Sequence, residues 1–198
     1  MLINKNVQYM TLLYLHGFRS SPNSNKALAV VDYCARHQLP APIVPQLPLS
    51  PLEAITLCEQ LIAQHAITAV CGSSLGGFFA VYLAEKFGLR CAMINPAITP
   101  WVDLERGENH TRYEMDELDD GNRHYIDELK SYYTARISQP NKYLLLVGTA
   151  DEVLDAQQSI AHFAGAHQII VEGADHNISD FGGHLDEVMG FVMPASHP

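Results

Sequence analysis

Short apolar runs recur along the chain, separated by longer stretches in which apolar residues return every three or four positions. That alternation predicts a parallel sheet flanked by helices, because runs apolar on every position suit strands covered on both faces, and the longer period suits crossover helices. The strand candidates are "TLLYLH" (11–16), "PIVP" (42–45), "TAVC" (68–71), "CAMIN" (91–95), "KYLLLV" (142–147) and "QIIV" (168–171), about six in one sheet. Between them "NKALAVVDYCARHQ" and "PLEAITLCEQLIAQH" carry helical periodicity, the second with a proline where a helix can start. "LGGFFAVYLAEKFG" is apolar on nearly all sides and ends in glycine, as expected of a helix buried against the sheet. Two further helices are predicted from about Leu154 to Phe163 and from about Leu185 to Phe191.

The segment 101–139 breaks this rhythm. "DLERGENHTRYEMDELDDGNRHYIDELK" is rich in both charge signs and predicts a surface excursion, either a lid over a site or a solvated connection. Its aromatic residues, Trp101, Tyr113, Tyr125, Tyr132 and Tyr133, can line an acyl pocket or pack the excursion onto the body, and packing is expected for most.

Composition narrows the function classes. The chain has 198 residues, 47% hydrophobic and 17% charged, which suits one globular domain. A formal net charge of −10 argues against nucleic acid or an anionic membrane surface as partner. "MLINKNVQYM" is polar where a signal peptide would carry its apolar core, so a soluble, cytoplasmic protein is expected. Cys34, Cys58, Cys71 and Cys91 are widely spaced among apolar neighbours and predict buried free thiols. The 10 histidines form neither H-x-x-x-H nor H-E-x-x-H, and no metal or other cofactor is expected.

The chemistry concentrates at "CGSSLGGF" (71–78). A serine hydroxyl attacks only when it is exposed at a sharp turn, with a base to take its proton and amides to hold the oxyanion. G-x-S-x-G supplies such a turn between strand and helix. Gly72 and Gly76 bracket Ser74, whereas Ser73 would need a glycine where Cys71 stands, so the register selects Ser74 as nucleophile. The pattern alone is not specific; its weight comes from following a β-like run and opening a helix. The N–H of Leu75 then falls where an oxyanion donor belongs. Phosphate-loop patterns fail, since "GSSLGG" lacks both the G-K-[ST] ending and G-x-G-x-x-G spacing.

With a serine on such an elbow, an acid and then a histidine should follow on loops after later strands. "GTADEVLD" follows one strand and "EGADHNISD" the next, which selects His176 as general base and Asp151 as the acid that orients it. Asp155 is the reserve acid, but its expected place in the first turn of the next helix favours an interaction with that helix's dipole. Glu152 and Asp175 are expected to be solvated. The loop "LHGFRSSPNS" offers the Phe18 N–H as second oxyanion donor, with His16 as a structural residue holding that loop rather than a second base.

Together "LYLHGFRSSPNSNKA", "PQLP", "GSSLGGFFA", "INPA", "GTADEVLD" and "EGADHN" resemble the small bacterial α/β-hydrolase-fold esterases of the YqiA/YcfP type over nearly the whole chain. The resemblance implies a three-layer α/β/α fold with a mainly parallel sheet, and carboxylesterase activity on short acyl esters or thioesters without a cofactor. Ser74, Asp151 and His176 match the triad positions, and the wider superfamily supports the Phe18 and Leu75 amides as oxyanion hole. The acidic stretch from about Arg106 to Asp120 does not align, and the first nine residues look like an extension. Acyl-thioesterase or acyltransferase chemistry on the same triad, and a non-catalytic binding module on this fold, are the alternatives.

Overall fold

The computed structural model describes residues 10–102 and 120–194. Five strands form one sheet: β1 (Thr11–Leu15), β2 (Ile67–Ser73), β3 (Arg90–Ile94), β4 (Tyr143–Gly148) and β5 (His167–Val171). They lie side by side in chain order, every neighbouring pair parallel. The α-helices that lie wholly within the described residues are α1 (Asn25–Arg36), α2 (Pro51–Gln64), α3 (Leu75–Phe87), α4 (Asp120–Ser131), α5 (Ala156–His162) and α6 (Leu185–Val192).

The expected strand at 42–45 is not formed. Ile43 makes one bridge to Leu13, donating to the Leu12 carbonyl at 2.8 Å and accepting from the Tyr14 N–H at 2.9 Å. Pro42 and Pro45 flank it, and neither has an N–H with which to extend a ladder.

Alternation along the strands divides the core into two layers. Leu13, Leu15, Val70, Cys91, Met93, Leu145 and Val147 face α2, α3, α5 and the C-terminal part of α4. Leu12, Tyr14, Ala69, Cys71, Ala92, Ile94, Leu144 and Leu146 face α1 and α6. Both faces of β1 to β4 are therefore largely dry, which is why these strands read as continuous apolar runs, whereas β5 at the sheet edge stays partly exposed.

Helix starts follow local chemistry. Ser24 caps α1, accepting from the Ala27 N–H, and Ser50 caps α2 just before Pro51. Helix α3 is buried on most of its surface and ends at Gly88 in the left-handed conformation (φ 68°). All four cysteines are free and buried, with burial pushing Cys58 and Cys71 up to about 12. Of the excursion, 103–119 lies outside the described residues, Tyr113 with it. Trp101 packs edge-on to Phe78 and Tyr133, Tyr132 to Tyr82, and Tyr125 to Phe18, so these aromatic residues attach the segment to the body.

Candidate active site

The carboxyl ends of all five strands converge, the position at which open α/β sheets build their sites. Strand β2 ends at Ser73, and the next residue, Ser74, turns the chain into α3 with φ 54° and ψ −122°. A serine at positive φ is strained, and the surroundings hold it there: its N–H donates to the Ile94 carbonyl at 3.0 Å, and its own carbonyl accepts from Ala97 at 3.2 Å. The bracketing glycines are steric necessities. A Cβ on Gly72 would collide with the Gly76 carbonyl, and one on Gly76 with the carbonyls of Leu15 and His16.

Two loops supply the facing groups. After β4, the Asp151 side chain is 1% exposed, and its Oδ1 accepts the N–H groups of Val153 (2.7 Å) and Leu154 (2.9 Å). After β5, His176 donates from Nδ1 to Asp151 Oδ2 at 2.8 Å, which leaves Nε2 as the proton-accepting nitrogen. Burial acts to raise the Asp151 carboxyl, but the bond from His176 and the two backbone donors outweigh it and hold the group below the usual aspartate range.

Ser74, His176 and Phe18 all line one cleft of about 700 Å³. Leu75 opens α3, so its N–H is among the first amides of that helix, which have no intrahelical acceptor. Phe18 follows Gly17 in the loop after β1, and that loop passes close to Ser74: a Cβ on Gly17 would sit 3.3 Å from Ser74 Cβ.

Several polar residues have roles the sequence did not disclose. Glu152 Oε2 accepts the His176 N–H at 3.0 Å, and Asp175 accepts both the N–H and hydroxyl of Ser179, so neither is merely solvated. Asp155 is the N-cap of α5 rather than a first-turn residue, its carboxylate accepting from Gln157 at 2.8 Å. Asn95, after β3, is 1% exposed at φ 41°. Its Nδ2 donates to the carbonyls of Asp175 (3.1 Å) and His176 (2.8 Å), while Oδ1 accepts from Gly148 (2.8 Å), which ties the His176 loop to the end of β4. The signal for Asn95 was a polar residue closing the apolar run "CAMIN". His16 is 3% exposed and fully engaged in fastening its loop. Among the described residues no cluster of three or more His, Cys, Asp or Glu could hold a metal, and no helix is long and apolar enough to cross a membrane.

A family model described as uncharacterised protein family UPF0227 matches residues 11–193. The chain belongs to that family. A UPF0227 relative, the protein YcfP of Salmonella gallinarum, is 26% identical over 91% of this chain and 97% of its own length. Among solved structures, alpha/beta hydrolase domain-containing protein 10 from mouse superposes with a TM-score of 0.69 at 16% identity, covering 90% of this chain and 89% of that one. Est1E from Butyrivibrio proteoclasticus with ferulic acid bound gives 0.67 at 16% identity, covering 93% and 90%. This UPF0227 member therefore has the α/β-hydrolase fold, with five parallel strands among the described residues where about six were expected.

Proposed function

We propose that the protein is a serine esterase that hydrolyses carboxylic esters of short acyl groups through an acyl-enzyme. One observation carries this: a histidine paired with a buried aspartate lines the same cleft as a serine held at positive φ on a strand-to-helix elbow. The fold shared with Est1E, a protein with ferulic acid bound, agrees with it.

Nε2 of His176 takes the proton of Ser74 Oγ as that oxygen bonds to the ester carbonyl carbon. The amides of Phe18 and Leu75 hold the developing oxyanion, and each such donor is worth about 3 to 4 kcal/mol at the transition state. Asp151 keeps the imidazole oriented and stabilises the imidazolium, which next gives its proton to the departing alkoxide as the C–O bond breaks. Water, deprotonated by His176, attacks the acyl-enzyme and releases the acid and free Ser74. No step needs a cofactor.

The test is mass spectrometry after treatment with a fluorophosphonate probe, on wild type and His176→Ala, beside turnover of ester and thioester panels of increasing acyl length. An adduct on Ser74 that depends on His176, with ester turnover, is expected. Folded protein that gives neither adduct nor turnover would make this a binding module.

A further inference from the structure

The described residues lining the cleft include one formally charged side chain, Lys26, and no carboxylate. That is notable in a chain with 22 acidic and 12 basic residues, whose surface field repels anions. Lys26 stands in the first turn of α1, and the polar residues Ser24 and Asn25 before it line the same cleft.

The lysine is half-buried and makes no ion pair among the described residues. Two carboxylates act on it through space, Asp175 and Asp151. Both are committed elsewhere, Asp175 to Ser179 and Asp151 to His176 and two backbone amides. Burial accordingly holds the ammonium below the usual lysine range, against the pull of these two carboxylates. A surface lysine normally keeps its charge in water, whereas one on a cleft wall, partly desolvated and without an ion pair among the described residues, gains most from an anion entering the cleft. One ammonium matches one negative charge; a dianionic phosphate would leave a charge unmet in a protein of net charge −10.

We propose that Lys26 is the specificity-determining residue of this cleft and that the substrates are monoanionic esters, in which a carboxylate on the substrate pairs with Lys26 while the ester carbonyl lies at Ser74. This rests on the esterase reading above. The bonds broken and formed stay those of ester hydrolysis; Lys26 binds and exchanges no proton.

The experiment compares monoethyl succinate, glutarate and adipate with ethyl butyrate, valerate and hexanoate by pH-stat, for wild type, Lys26→Met and Lys26→Arg, after thermal melts establish folding. Wild type should favour at least one monoanionic ester over its neutral counterpart. Lys26→Met should reduce that ratio of kcat/KM by about ten- to a hundred-fold, mainly through KM, the span expected for a hydrogen bond to a charged group, and Lys26→Arg should retain most of it. No preference in wild type, or a ratio unmoved in Lys26→Met, overturns the proposal. Calorimetric titration of monoethyl glutarate into Ser74→Ala and Ser74→Ala/Lys26→Met proteins reads recognition without turnover. Weaker binding in the double variant, in a protein that hydrolyses no ester, would sink the esterase reading and leave Lys26 as an anion site. Equal binding, or none to either, overturns the role of Lys26.

Discussion

His16 donates from Nδ1 to the Gly17 carbonyl at 2.9 Å and accepts the Leu47 N–H at Nε2 at 3.1 Å, so its neutral tautomer is fixed by two partners. Burial lowers its pKa, and the bond to the Gly17 carbonyl only partly opposes this. The unfolded chain, with a histidine pKa of about 6.5, therefore takes up this proton before the folded one does. Stability from His16 is complete above about 6.5 and is lost as the pH falls from there toward the lower folded value. The melting-temperature advantage of wild type over His16→Gln should accordingly shrink as buffers go from about pH 7.5 to about 5.5. His162, lowered by burial as well, leaves some acid sensitivity in the variant. An advantage that grows on acidification would mean His16 is charged in the native state.

Glu128 shows how α4 is attached. Its Oε2 accepts from the Ser50 hydroxyl (2.9 Å) and the Leu52 N–H (3.0 Å) at the start of α2, and its Oε1 meets His124 at 3.1 Å. One carboxylate from α4 thus satisfies donors at the N-terminus of α2, where a negative charge is favoured. Glu128→Ala should cost about 1 to 3 kcal/mol in chemical denaturation, and Glu128→Gln less, because the amide keeps an acceptor. Equal stability of the three proteins would mean that aromatic packing alone holds α4. The tie of α4 to α2 had no local signature, since 78 residues separate Ser50 from Glu128. The helices α1, α2 and α3, by contrast, were legible from apolar period, Pro51 and Gly88, all local effects.

The candidate site draws on loops after each of the five described strands, and the sheet brings them together because its strands run parallel and in chain order. The strain at Ser74 is borne by the elbow's close packing rather than by its hydroxyl, which caps nothing in α3. Ser74→Ala should therefore abolish ester turnover and leave the melting temperature unchanged or slightly higher, since a residue kept for chemistry rarely adds to stability. A fall of many degrees would identify Ser74 as a packed structural residue and contradict the nucleophile assignment.

Pattern reading along the chain yielded the five strands, the helices α1, α2, α3, α5 and α6, and the elbow register that puts Ser74 rather than Ser73 at the turn, because each depends on neighbours within a few positions. It overstated the strand at 42–45, where the apolar pair Ile43–Val44 outweighed the missing N–H groups of the flanking prolines. Long-range packing, by contrast, sets Asn95 against a loop 81 residues away, Glu152 against the His176 backbone, and Lys26 in the cleft as the one formally charged side chain among the described residues that line it. Hydrogen bonding and desolvation depend on what surrounds a side chain in space, and residues so far apart along the chain become neighbours only once the sheet has formed.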